Sequence, residues 1–354
     1  MEQTMPPSYD IQRSWEENCL HGPRLDASPP LVPATPMKQF LGLPVRSRLG
    51  IAAGLLLNSR WIGPYARLGF DLLTYKTVRS AARPCHPLPN WVFVDDVSPP
   101  DGPVVVRTMP ADPAQASSSV CFGMPSIAPG EWRPDVRRAR QSLESGQLLI
   151  VSVVGTPGAD PSLEALADDF AHCAAWAAAA GAQVVEANLS CPNVCSAEGT
   201  LYHDHQASRL VAERIRAAIG PVPLLLKVGT FASPLALRGF LQTVDGLASG
   251  VTLVNCISRP VLRADGQAAF GEAFRMAGVM GRAIHQPAVA AVRAARHCVE
   301  SDRLGLAIAA VGGVAGVEDI ADFFQAGADA VLCGSAPMYM PNLAIEAKMA
   351  RPDW

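Results

Sequence analysis

The stretch Glu186-Ala-Asn-Leu-Ser-Cys-Pro-Asn-Val194 gathers two amides, a hydroxyl and a thiol in one short segment stiffened by a proline. Carboxamides read the carbonyl and N–H groups of a substrate. A thiol whose pKa is drawn toward neutrality can take a proton from carbon. The preceding run Ala182–Ala187 is mostly apolar and β-like, so the polar set falls where a buried strand ends. In a (β/α)8 barrel that end of a strand is where active sites are built. The types and spacing therefore point to substrate reading coupled to proton transfer.

Two lysines and two glycine pairs extend the pattern. Lys76 and Lys227 each close a β-like run. Either alone reads equally well as a snorkelling or ion-paired side chain. Two at strand ends of one barrel favour function, because a lysine beside the N1–C2 edge of a flavin stabilises negative charge on the reduced ring. Val311-Gly312-Gly313-Val314 and Cys333-Gly334-Ser335-Ala336 also follow β-like runs and lead toward helices. Glycines there let backbone N–H groups approach a phosphate. Turn geometry alone would explain one such motif, whereas two after the last two strands match the usual phosphate site of a barrel. The phosphate could belong to flavin mononucleotide (FMN) or to a phosphorylated substrate. Small residues at Ala52-Ala53-Gly54 leave room for a flat ring and favour the flavin.

These residues need a frame that brings strand ends together. β-like segments occur at 49–53, 71–76, 148–154, 183–188, 224–228, 250–255, 306–311 and 330–333. Helical patterns at 163–180, 207–219, 234–247, 287–298 and 317–326 lie between them. Alternation of this kind implies a parallel sheet, and eight strands imply closure, so the expected fold is α/β, a (β/α)8 TIM barrel. An open doubly wound sheet is the competitor. Residues 1–36, polar and rich in proline, read as an N-terminal arm, and 37–345 as the barrel. Long insertions at 83–146 and 256–282, after strands 2 and 6, leave from C-terminal strand ends and should arch over the active-site face.

Composition narrows the partners. The 49% hydrophobic and 17% charged fractions fit a large buried core, and a net charge of −3 offers no footprint for nucleic acid. No run is long enough for a membrane span and no signal-peptide pattern opens the chain, so a cytoplasmic protein without membrane attachment is expected. The 9 cysteines are scattered without a Cys-x-x-Cys pair, which supports neither a disulfide framework nor a zinc or iron–sulfur site. His203 and His205 have no third ligand cluster, and no metal is expected.

Taken in order, Ala52-Ala-Gly54, Tyr75-Lys-Thr77, Phe122-Gly-Met-Pro-Ser126, Val151-Ser-Val-Val-Gly155, Asn188-Leu-Ser-Cys-Pro-Asn193, Leu226-Lys227, Val254-Asn-Cys256, Gly312-Gly313 and Gly334-Ser335 resemble the dihydroorotate dehydrogenase superfamily over most of residues 40–340. The resemblance implies an FMN enzyme acting on a CH–CH bond beside a carbonyl, with dihydroorotate to orotate as the default pair and a place in pyrimidine metabolism. It places FMN on Ala52, Ala53 and Gly54. Lys76, Asn188 and Lys227 would contact its ring and ribityl chain, Thr77 and Asn255 would also bind the cofactor, and Gly312, Gly313, Gly334 and Ser335 would hold its phosphate. Gly278 and Gly281 would add backbone contacts. Asn188, Asn193 and Asn255 would bind the substrate. Cys191 would remove the proton, with Lys76 as the second catalytic candidate, while hydride passes to flavin N5. Cys195 has no counterpart role.

One position departs from the pattern. Where the orotate-forming enzymes carry a substrate-binding asparagine three residues before Gly123, this chain has Val120. Losing that amide costs about 1–3 kcal/mol if a buried polar group is left unpaired. The same chemistry on another dihydropyrimidine or cyclic amide is therefore an open alternative. A flavin-free Schiff-base lyase or aldolase using Lys227 and a non-catalytic FMN-binding barrel are further readings. A tRNA-reducing flavin enzyme is disfavoured by the acidic balance. Expected partners are a small cyclic amide and a soluble electron acceptor or partner subunit. Association into a homodimer stays open.

Overall fold

The computed structural model describes residues 7–25, 30–95, 102–190 and 200–354. Helix α1 (Trp15–His21) comes first, then a hairpin of β1 (Lys38–Phe40) and β2 (Leu43–Val45). The alternating part begins with β3 (Leu49–Ile51), α2 (Ser59–Arg67) and β4 (Leu72–Val78). Three short strands follow, β5 (Trp91–Val94), β6 (Val104–Arg107) and β7 (Ser117–Val120), before α3 (Pro129–Gln141). Alternation resumes with β8 (Leu148–Val153), α4 (Leu163–Ala179), β9 (Val184–Asn188), α5 (His205–Ile219), β10 (Leu224–Lys227), α6 (Pro234–Val244) and β11 (Gly250–Leu253). After β12 (Ile257–Leu262) and β13 (Met276–Gly281), the chain ends with α7 (His285–Asp302), β14 (Ala307–Val311), α8 (Val317–Gln325), β15 (Ala330–Cys333) and α9 (Leu343–Ala350).

Strands β3, β4, β8, β9, β10, β11, β14 and β15 pair in parallel and close into a barrel, as the alternation predicts. Strands covered on both faces read as unbroken apolar runs, and β8 is buried at every position. Side-chain hydroxyl or carboxylate caps start several of the outer helices: Ser162 on α4, Asp204 on α5 and Ser233 on α6. Leu72, Ile150, Val184, Leu225, Ala309 and Leu332 fill the barrel interior, and Phe40 and Val45 of the hairpin join the same cluster. The hairpin therefore plugs the N-terminal end.

Period two along the strands then sets the layers. Two residues beyond that apolar layer, Thr74, Ser152, Glu186 and Thr252 are fully buried, and Thr252 Oγ1 donates to Glu186 Oε2 at 2.9 Å. Lys76 and Asn188 come one further step toward the C-terminal mouth, where the open end of the barrel lies, and Lys227 pairs in register with Asn188.

Two features depart from expectation. The insertions are more than lid loops: β5, β6, β7, β12 and β13 form a second, small closed sheet in the order β12-β13-β7-β5-β6. The N-terminal arm, polar in sequence, also contributes to the core. Tyr9 is 1% and Trp15 4% exposed, both within the main core, and the Tyr9 ring lies 5.2 Å from Trp91 and 6.0 Å from Trp61 between centroids. Burying two large aromatics outweighs the polar character of the surrounding stretch. No helix among the described residues is long and apolar enough to cross a membrane.

Candidate active site

A cavity of about 1160 Å³, counted out to its open mouth, sits between the C-terminal end of the barrel and the small sheet. Of the residues singled out above, Ala52, Ala53, Gly54, Lys76, Thr77, Val120, Asn188, Lys227, Asn255, Gly281, Gly312, Gly313, Gly334 and Ser335 all line it. Parallel register brings them together: Asn188 on β9 pairs with Lys227 on β10, which pairs with Thr252 on β11. Gly278 is the exception. It lies inside β13, paired with Val120 and Ser258, and its carbonyl accepts from Ser119 Oγ at 2.9 Å, outside the cavity wall. Cys191, Asn193 and Cys195 fall outside the described residues.

The amides at the ends of β9 and β11 form one unit. Asn188 Oδ1 accepts from Asn255 Nδ2 at 3.3 Å and from Ser190 N at 3.2 Å, and Asn255 Nδ2 also donates to Ser190 O. Asn188 Nδ2 points at Met124 Sδ, 3.6 Å away. Asn188 and Lys76 are 6% exposed and Lys227 2%, so two ammonium groups and the Asn188 amide share a nearly dry floor. In such a setting their charges act at short range on whatever occupies the cavity.

The opposite wall comes from the small sheet. Val120 stands beside Trp91 on β5 and Gly278 on β13, so this wall is apolar. Directly after it the chain turns through Gly123 (φ +72°) and Met124 (φ +51°). Arg79, fully buried, holds this turn by donating from Nε to Met124 O at 3.1 Å and from Nη1 to Gly155 O at 2.9 Å. Among the described residues no acceptor meets the backbone N–H groups of Phe122, Gly123 and Met124. Consecutive N–H groups in such a turn make an anion-binding concavity.

The third region is the glycine end. A Cβ on Gly313, whose φ is +66°, would stand 2.6 Å from Gly281 O and 2.7 Å from His285 Cβ. The N-terminus of α7 therefore packs directly on this turn, and only glycine fits. A Cβ on Gly334 or Gly54, by contrast, would meet nothing within 4 Å, because both face open cavity. Tyr339 Oη lies 3.5 Å from Ser335 Oγ, and burial raises the pKa of this phenol, which keeps it a neutral donor. Burial likewise pushes Cys333, just before Gly334, up to about 12, so that thiol is no base.

The sequence patterns did not single out Arg282, which lines the glycine end, nor Trp91 and Met280 on the apolar wall, and Phe122 and Met124 entered only within the motif Phe122–Ser126, without a role of their own. Arg282 follows Gly281 directly, and that adjacency was the available signal. Near it, His285 Nε2 lies 3.0 Å from Asp322 and 3.5 Å from Asp319, while Nδ1 faces Gly312 O at 3.2 Å. These three side chains could crowd a cation among themselves. Direct hydrogen bonds and the Arg282 pair on Asp319, 2.7 Å long, instead make them a bracing network behind the turn.

Comparisons with known proteins identify relatives of the chain. The dihydroorotate dehydrogenase family model matches residues 134–349. The chain is 31% identical over 360 residues to dihydroorotate dehydrogenase of Dictyostelium discoideum, covering 96% of each. It is also 31% identical over 188 residues to dihydroorotate dehydrogenase A (fumarate) of Limosilactobacillus reuteri, a match spanning 48% of this chain and 54% of that protein. The crystal structure of DHODH from Eimeria tenella in complex with ferulenol shares the fold, with a TM-score of 0.70 at 16% identity over 88% of this chain and 82% of that one. With one relative of that identity matched along nearly the whole length, the chain belongs to the dihydroorotate dehydrogenase family of oxidoreductases.

Proposed function

We propose that the cavity holds FMN and that the chain oxidises dihydroorotate, or a close cyclic amide, to its unsaturated product. The fit rests on this chain's own groups. Gly54 and Gly334 leave space that any side chain would fill. Lys76 and Lys227 are cations suited to an anionic reduced ring, and the Gly312–Gly313 and Gly334–Ser335 turns offer backbone donors to a phosphate. When bound, FMN supplies the hydride acceptor.

The protein's part is binding, orientation and proton removal. The Asn188–Asn255 pair, with Asn193, would hold the amide edges of the substrate. Cys191 Sγ would take the proton from the carbon beside the carbonyl. Lys76 would compensate negative charge at the same end. The N–H groups of Phe122, Gly123 and Met124, which meet no acceptor among the described residues, carry the substrate assignment: they favour a substrate with a carboxylate, as dihydroorotate has. Val120 favours the second reading, a cyclic amide with an uncharged substituent at that wall.

Electrons would leave to a soluble acceptor or a partner subunit. The Limosilactobacillus relative is named for fumarate, and a relative from Staphylococcus carnosus is a dihydroorotate dehydrogenase B (NAD(+)) catalytic subunit. A cytoplasmic enzyme without nucleic-acid or membrane partners is the setting we favour, with the oligomeric state left open.

Steady-state rates with a dye as acceptor test the substrate. The primary reading expects kcat/KM for dihydroorotate to exceed that for dihydrouracil, and the second reading expects the reverse order. Turnover of neither substrate by flavin-loaded protein would contradict both.

A further inference from the structure

Resting on the FMN reading above, we propose that Arg282 is a phosphate-binding side chain of this protein, with Asp319 as its positioning residue. Arg282 lines the cavity beside Gly281, Gly312, Gly313 and Gly334. Its backbone is fixed: its N–H donates to Ala116 O at 3.0 Å, and the next residue, Ala283, donates to Ser117 Oγ at 2.9 Å. The guanidinium Nη1 donates to Asp319 Oδ1 at 2.7 Å, and Asp319 Oδ2 accepts from Ala315 N at 2.9 Å. Asp319 thus ties the arginine to the segment that follows the Gly312–Gly313 turn.

A guanidinium carries five N–H donors in a planar fork. Among the described residues only the bond to Asp319 engages the fork, and the side chain keeps 35% of its surface exposed. Asp319 is not part of the cavity wall, so the anchor lies behind the fork and the remaining donors are open to an occupant.

Charge placement argues the same way. Lys76 on β4 and Lys227 on β10 each lie two strands from the glycine turns that follow β14 and β15, and Arg282 is the cation that lines the cavity beside those turns among the described residues. A phosphate monoester near neutral pH carries between one and two negative charges. Backbone N–H groups supply partial charges only, whereas an arginine adds a full charge and can bind two phosphate oxygens at once. The glycine turns would hold the phosphate in place, and Arg282 would make the site prefer FMN over the same ring without phosphate.

Fluorescence titration of cofactor-stripped protein with FMN and with riboflavin tests this, because the two ligands differ only in the phosphate. The unaltered protein should bind FMN more tightly. Arg282→Gln should weaken FMN about tenfold to a hundredfold, the range of a charged hydrogen bond, and leave riboflavin unchanged. Asp319→Asn, which keeps the cation but removes its anchor, should lose part of the same preference. Arg282→Lys should recover part of it.

Unchanged FMN preference in Arg282→Gln would overturn the proposal, as would equal weakening of both ligands, which marks a structural effect. Full preference in Asp319→Asn would remove the positioning role. If the unaltered protein binds neither flavin, the FMN reading itself fails and this proposal fails with it.

Discussion

Replacing Gly334 with valine separates a cavity residue from a folding residue. The Cβ of a residue at 334 would meet nothing within 4 Å, so the substitution should cost the cofactor-free fold no more than about 0.5 kcal/mol, as at an uncrowded surface site. The added methyl groups project into space that the FMN reading assigns to the phosphate end. Overpacking against a bound group costs about 1–3 kcal/mol, or roughly 5- to 150-fold in Kd. Gly313→Ala should fail in the opposite way. Its φ of +66° and the 2.6 Å approach to Gly281 O place the cost in the fold, about 1–3 kcal/mol of stability. FMN titration and thermal melting of the cofactor-free proteins read the two effects separately. Unchanged FMN affinity in a stably folded Gly334→Val protein would refute the assignment of that space.

The remaining predictions concern the base, the apolar wall and one buried carboxylate. Cys191→Ala should lower kcat for dihydroorotate by about 10²- to 10⁴-fold with FMN affinity unchanged, the signature of a lost general base; a loss under threefold would exclude Cys191 from that role. Val120→Asn should tighten orotate by about tenfold in spectral titrations, since it restores an amide to the wall; equal or weaker binding would show that nothing is missing there. Burial raises the pKa of Asp135, but hydrogen bonds from Ser59 Oγ and N, Tyr75 Oη and Arg138 outweigh it and hold the carboxyl below its usual range. A depressed folded pKa gives stability that is present above the unfolded value, about 3.9, and lost as pH falls through the folded one. Asp135→Asn should therefore melt well below the unaltered protein at pH 7, with the gap closing toward pH 3; a gap independent of pH would contradict the assignment.

The barrel was legible because its strands are covered on both faces. A run such as Leu148–Val153 is apolar but for Ser152, and the polar residues near other strand ends, Lys76, Asn188 and Lys227, stand out against that background. The small sheet was not legible from hydrophobic pattern. Strand β7 is Ser-Ser-Ser-Val, and its buried serines are satisfied by partners far along the chain, such as Gly278 O for Ser119 and Ala283 N for Ser117. Hydrogen bonds of that range leave no local trace. Tyr9 and Trp15 were hidden for a related reason: isolated aromatics in a polar, proline-rich stretch carry no period, although both are buried in the core. Arg282 reads as an ordinary surface cation until the turn after β13 carries it to the cavity. Gly278 shows the converse, a glycine near the site in sequence that serves strand pairing. Family membership, in turn, favours the oxidoreductase over the Schiff-base reading of Lys227.

Anaerobic titration of FMN-loaded protein with dihydroorotate, followed at the visible absorption band of the flavin, tests the central claim most directly. The account predicts loss of that band in proportion to substrate added, with one orotate formed per cofactor. A protein that takes up no FMN, or one whose flavin band persists in excess dihydroorotate and in excess dihydrouracil, would contradict it.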